Sequence, residues 1–329
     1  MQPSICADTL IDRSIDYGAG PVVDSLTKLI TQRSCNFCAV LILSDLEIGQ
    51  PVDISDQMTI EPITNLPQEL QSFMGLSSAT EHGANPTYRG RSALIHRATR
   101  SVQIADVAED IVTDPQIFNS SGAFRSALNA LAAEARFSPI ILGHTSYVED
   151  IGWPRQRHSG ASWQGKPPTR HVANIADVSS FIALAESNSD NQTIQRAMSK
   201  LRDAHSRLND AERALDLGTC LEIILMHNEQ DSSEIQYKLR TRASLLLGTD
   251  ADERVRIWDL VGKAYGLRSK AAHTGSLPTS TRTAEDHHRT QALLQDTAIL
   301  CGVLIRKILT DGWPDWKLLV LGATRTDRD

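Results

Sequence analysis

The sequence predicts an α+β protein, with a strand-containing mixed N-terminal domain followed by an all-α helical bundle. Three observations point there. Residues 38–64 alternate and turn in the manner of strands. Residues 149–170 gather three prolines, three glycines and two tryptophans and read as a linker. From Ile175 onward apolar residues recur at three- and four-residue steps between short polar interruptions. The expected domains are therefore 1–170, of unknown role, and 171–329.

In chain order, PVVDSLTKLITQR (Pro21 to Arg33) reads as a short amphipathic helix opened by proline. CAVLILSDLEIGQPVDISDQMTIEPIT (Cys38 to Thr64) suggests two or three strands, with Gly49-Gln50-Pro51 as punctuation. SVQIADV (Ser101 to Val107) is a further strand candidate, and the alanine- and leucine-rich stretch Gly122 to Phe137 is expected to be helical. In the second half, Ile194, Ala197, Met198, Leu201, Ala204, His205 and Leu208 outline one helix face. AERALDLGTCLEIILMH follows; DSSEIQYKLRTRASLLLG comes next, with a serine-rich cap and a terminal Gly248. DERVRIWDLVGKAYGLRSKAAH ends at Thr274-Gly275, and a last helix follows a polar opening. Short connections between these helices predict antiparallel neighbours.

Composition narrows the function classes. The 329 residues carry a net charge of −7. The first 170 residues hold 13 basic and 18 acidic groups and the remainder 20 and 22, so neither half is a general polyanion binder. One stretch differs. Arg254, Arg256, Lys263, Arg268 and Lys270 stand against the single acid Asp259, either as a solvated helix face or as a phosphate-attracting surface. Five cysteines, few and odd in number, argue against a disulfide framework and point to the cytoplasm. No apolar run approaches the eighteen or so residues of a membrane span, and no secretory start is visible.

Most motif candidates fail on context. Cys35-Asn36-Phe37-Cys38 offers two ligands where tetrahedral zinc needs four, and an apolar strand follows it rather than a helix. GASWQGKP (Gly160 to Pro167) imitates a phosphate loop, but Pro167 stands where Ser or Thr should bind magnesium. His287 and His288 are adjacent, so on a helix their rings diverge. No metal and no cofactor are expected.

Three Arg-x4-His pairs remain: Arg91/His96, Arg268/His273 and Arg282/His287. Only Arg268 and His273 end a long amphipathic helix within the bundle. Five residues on a continuous helix turn through about 140°, so these two side chains would not share a face. They can converge if the helix ends or bends between them, which Thr274-Gly275 would allow, or if a second subunit supplies the partner. Glu222 is an unusual charge inside an apolar run and needs a counterion, either Arg242 or Arg268. Tyr237, Arg240 and Arg242 read as core and bundle-seam residues.

The order and texture of DLGTCLEIIL, YKLRTRASLLLG and LRSKAAH, with LLQDTAILCGVLIRKIL and WPDWKLLVLG after them, resemble the Apea-like branch of HEPN proteins over about residues 175–322. That resemblance implies a bundle that dimerises so that two Arg-x4-His motifs face one cleft, cutting RNA without a metal. It implies catalytic roles for Arg268 and His273, with Ser269 assisting, and a setting in anti-phage defence or a toxin-like response. It equally admits a non-catalytic module that binds RNA or nucleotide or dimerises, with Arg268 and His273 structural. The residue chemistry fits cleavage by itself. A histidine titrating near pH 6.5 can exchange protons with a ribose 2′-OH or a leaving 5′-oxygen. An arginine can hold the phosphate and its developing charge. Lys270, Lys263, Arg254 and Arg256 would position the RNA backbone.

Overall fold

The apolar run Cys38 to Leu43 lies in the middle of a sheet, in a strand so thoroughly covered that Ala39, Val40 and Leu43 have no exposed surface. Burial on both faces is why this strand is a continuous apolar block instead of an alternating one. The computed structural model describes residues 10–11, 14–15, 18–32, 34–43, 46–73, 92–101, 122–134, 141–149, 153–159, 171–172, 176–187, 191–231, 233–277 and 283–322. It is a mixed protein of helices and mainly antiparallel strands, in two compact units.

The first unit draws on Met1–Arg125 and Pro139–Ala176. Helix α1 (Ala19–Gln32) precedes β1 (Ser34–Leu43), β2 (Leu46–Glu47), β3 (Val52–Ser55) and β4 (Met58–Pro62). A short turn and α2 (Gln68–Phe73) follow, then β5 (Ser92–Ser101), β6 (Ile141–Val148), β7 (Trp153–Ser159) and β8 (His171–Val172). Six strands form one sheet in the order β3-β4-β5-β1-β6-β7, while β2 and β8 pair separately and in parallel. On one face of the sheet Cys38, Val40, Ile42, Ala93 and Ile95 pack under Leu66 and Leu70.

Two features depart from expectation. β5 runs through SALIHRATRS, most of which the sequence assigned to no element, and pairs with β1 from Ser92 to Ser101. β7 occupies part of the expected 149–170 linker and pairs with β6, Val148 opposite Trp153. Its Pro154 lacks a backbone donor but sits in an edge strand, where a missing N–H is tolerated. Residues 102–107 and 160–167 lie outside the described residues.

The second unit takes Asp177–Asp329 together with Ser126–Ser138. Most of helix α3 (Gly122–Glu134), which the sequence placed with the first domain, thus belongs to the helical unit. Asn129 donates from Nδ2 to Gln195 Oε1 at 3.0 Å. The remaining helices are α4 (Ala176–Ser187), α5 (Asn191–Ser206), α6 (Asp210–Leu225), α7 (Ile235–Leu247), α8 (Ala251–Thr274), α9 (Ala284–Asp311) and α10 (Trp316–Val320). In α5 the anticipated apolar face is buried at Ile194, Ala197, Met198, Leu201 and Ala204, whereas Leu208 lies past the helix end and is exposed.

α6 is the centre of this unit, packing against α5, α7, α8 and α9. Its buried Asp216 accepts hydrogen bonds from Lys200 and Arg207, both at 2.8 Å, which ties α5 and its exit turn to α6. The helix ends follow local chemistry. Asn209 caps α6, Asp250 caps α8, and Thr283 with Asp286 forms a reciprocal capping box on α9. The expected serine cap of α7 is absent: Ser233 bonds to Asp231, and the cap position is Glu234 in the left-handed region at φ 53°. Among the described residues, no helix is long and apolar enough to cross a membrane.

Candidate functional site

The segment Tyr265 to Gly275 forms the last turns of α8, which continues unbroken to Thr274 and ends at Gly275 with φ 67°. The helix therefore neither ends nor bends between Arg268 and His273, and this corrects the one-chain route to convergence. Arg268 falls on the inward face, in line with buried Ile257, Val261 and Ala264. His273 is exposed on the outer side of the last turn, about 140° round the axis.

Arg268 meets α6. Its Nη2 lies 3.1 Å from Glu222 Oε1 and donates to Oε2 at 3.3 Å. Of the two counterions considered for Glu222, the structure selects Arg268. The guanidinium also sits 5.5 Å from the centroid of the Tyr265 ring, within cation–π range. Burial, and then the Glu222 carboxylate, hold the Tyr265 hydroxyl above the usual tyrosine range. The Arg268 side chain keeps 29 % of its surface exposed, so a ligand can still reach it.

Gly218 makes this approach possible. A Cβ there would lie 2.3 Å from Arg268 Cγ and 2.8 Å from its Cβ, a clash with the root of the side chain, which cannot swing away. Gly218 and Glu222 are one turn apart on α6, so one helix face supplies both the space and the countercharge. Sequence reasoning passed over Gly218 and Tyr265; the i,i+4 spacing from Gly218 to Glu222 was the available signal.

The other expected site residues divide. Ser269 is half-buried beside Arg268 in the sequence, and Lys263 and Lys270 are exposed. Arg256, Lys263 and Lys270 recur at seven-residue steps, drifting only about 20° per step, and so form one cationic stripe along α8. Arg256 is 76 % exposed and pairs with Glu253 at 3.3 Å. Arg254 lies on the opposite side of the helix. Its Nε donates to the Gly248 carbonyl at 3.0 Å, so it fastens the α7–α8 turn instead of joining the stripe.

Arg242 is a structural tie, as expected of a bundle-seam residue. It is buried, donates to the Leu225 carbonyl at 2.7 Å, pairs with Glu229 and lies 5.0 Å from the Trp316 ring. Tyr237 is not a core residue, since 58 % of it is exposed, although its ring meets Trp258 across the α7–α8 seam with centroids 5.5 Å apart.

The competing Arg-x4-His pairs gain little. His96 lies in β5 with its ring 6.0 Å from Phe124, and Arg91 is outside the described residues. His287 approaches Asp210 at 3.9 Å on an exposed helix start, and Arg282 is also outside them. Cys35 and Cys38 are both buried in β1, and burial, reinforced by the Glu149 charge, pushes the Cys38 thiol up to about 12. Such a thiol is neither a nucleophile nor a ready ligand. Among the described residues, no three His, Cys, Asp or Glu side chains gather as a metal site. No family model, no curated protein and no solved structure matches the chain.

Proposed function

We propose that this protein is a metal-independent endoribonuclease of the HEPN type, acting as a homodimer through Arg268 and His273. The observation that supports it is the division of labour on α8. One cation is held in place by Glu222 and Tyr265 yet stays partly open. One imidazole is exposed on the same last turns. Because the unbroken helix turns these two side chains apart, a complete cleft draws on two copies.

In that cleft one His273 takes the proton from a ribose 2′-OH, and the oxygen attacks the adjacent phosphorus. The bond to the 5′-oxygen breaks, and the His273 of the second copy, entering protonated, gives that oxygen a proton. Arg268 stabilises the charge on the phosphoryl oxygens, and Ser269 assists beside it. Lys263, Lys270 and Arg256 hold the backbone without reading sequence. The products would carry a 2′,3′-cyclic phosphate and a 5′-OH. Mapping the ends of RNA fragments made by the purified protein tests this: 3′-OH and 5′-phosphate ends would contradict the mechanism.

A second reading is favoured by the same ion pair. Arg268 bonded to Glu222 can be purely structural, leaving a non-catalytic module that binds RNA or nucleotide or dimerises. Binding without cleavage would select it.

A further inference from the structure

Cys220 and Cys301 meet inside the helical unit, and nothing in the catalytic reading uses them. Cys220 lies on α6 and Cys301 on α9, two helices that pack together, and neither residue has any exposed surface. Both are free thiols. The Cys301 thiol donates to the Leu217 carbonyl at 4.0 Å and accepts a hydrogen bond from the Cys220 thiol.

A cysteine sulfur sits one bond beyond its Cβ, so a thiol at that distance from a backbone carbonyl requires the two helices to run close together. Side chains lean toward the N-terminus of their helix, which carries Cys220 over the turn that begins at Leu217. Both sulfurs therefore converge on one point of α6. Their helix neighbours Leu221, Leu304 and Ile305 are fully buried as well. The Cys35–Cys38 pair has no such geometry. Three residues apart in β1, those side chains point to opposite faces of the sheet.

The contact also has a particular place on α6. Gly218 and Glu222 each lie two residues from Cys220, about 160° round the helix, on the face that receives Arg268. α6 is thus held between the thiol contact on α9 and the arginine contact on α8.

We propose that Cys220 and Cys301 join in a disulfide under oxidising conditions, a redox-sensitive cross-link that fixes α6, the helix carrying Glu222, against α9. The co-reactant is a low-molecular-weight disulfide such as glutathione disulfide. In the closed bundle the hydrogen bond to Cys301, and then burial, hold the Cys220 thiol well above the usual cysteine range. Reaction therefore begins only when the helices open locally. One cysteine thiolate attacks the glutathione disulfide, giving a mixed disulfide and one glutathione. The second cysteine attacks that protein sulfur, and the remaining glutathione leaves. Two cysteine sulfurs are oxidised, two glutathione sulfurs are reduced, and the two cysteine protons pass to the glutathiones. From hydrogen-bonded contact to a bond, the sulfurs need to close by only about 2 Å. Once the bundle closes, soluble thiols no longer reach the bond, so it forms slowly and persists. No step here depends on the ribonuclease reading.

The test incubates the folded full-length protein with glutathione disulfide at mildly alkaline pH and maps its peptides without reductant. The expected product links Cys220 to Cys301, with a loss of about 2 Da from the intact mass. The urea midpoint of the cross-linked protein should rise by about 0.5–2 M over the reduced form. Cys301→Ala should show neither change, and the map of the wild type stands without that variant should it fold poorly. A folded protein that stays fully reduced, while the urea-unfolded chain cross-links, overturns the proposal. So does a protein that stops at the mixed disulfide, or one whose cross-link runs through Cys6, Cys35 or Cys38. A Cys220–Cys301 bond that lowers the urea midpoint also overturns it, because the thiols would then have been drawn together from a distance.

Discussion

The Arg268 guanidinium rests on Glu222 at 3.1 Å because Gly218, one turn earlier on the same helix, leaves room for its side chain. Gly218 and Glu222 on α6, with Tyr265 on α8, thereby set the position of Arg268. The relationship can be tested as packing before any activity is measured.

Gly218→Ala should destabilise the protein. The added methyl would gain about 1 kcal/mol of helix propensity. Against this, overpacking on Arg268 costs about 1–3 kcal/mol. The urea midpoint should therefore fall, and Arg268→Ala in the same chain should recover part of the loss. A midpoint that rises would mean that α6 and α8 do not approach as described.

Alkaline titration reports the same cluster. Burial and Glu222 raise the Tyr265 pKa in the folded state. The stability linked to that shift is fully present below the unfolded tyrosine value of about 10, and it is lost as pH rises through the higher folded value. The tyrosinate absorbance that disappears in Tyr265→Phe should appear late in the wild type. Glu222→Gln should bring it partway back, because burial remains. An early transition in the wild type would contradict the placement.

Arg242 joins α7 to the end of α6 and to α10. Arg242→Met should lower stability by about 2–3 kcal/mol by stranding the Leu225 carbonyl. Arg242→Lys should restore little, since an ammonium cannot reproduce the fork. Unfolding curves that overlay for the three proteins would argue against this tie.

Cys38 should resist alkylation in the native protein at mildly alkaline pH and react once unfolded, as its burial and a pKa pushed up to about 12 require. Mass spectrometry after a timed iodoacetamide pulse reads this directly. Rapid native labelling would restore the Cys35–Cys38 pair as a reactive motif.

The helices were legible where one face was cleanly apolar, as for Ile194 to Ala204 in α5, because their burial follows from local spacing. Strands β5 and β7 were not, since their Arg, His and Pro residues break the apolar pattern of a strand and their order comes from pairing with β1 and β6. The assignment of α3 to the helical unit depends on contacts distant in sequence, such as Asn129 with Gln195. At the site, Glu222 announced its need for a counterion through its charge among apolar neighbours. Which arginine supplied it was a matter of how α6 and α8 cross. Tyr237 misled because an aromatic residue in a helix is usually core, and here the neighbouring Trp258 takes the partly buried position.

The most direct measurement is cleavage of single-stranded RNA in EDTA by the wild type and by His273→Ala. His273 is exposed, so the variant should fold with stability within about 0.5 kcal/mol of the wild type. Its cleavage rate should fall by about 100- to 10,000-fold, the range expected for loss of a general acid–base. Cleavage that persists in His273→Ala, or that appears only when magnesium is restored, would contradict the mechanism.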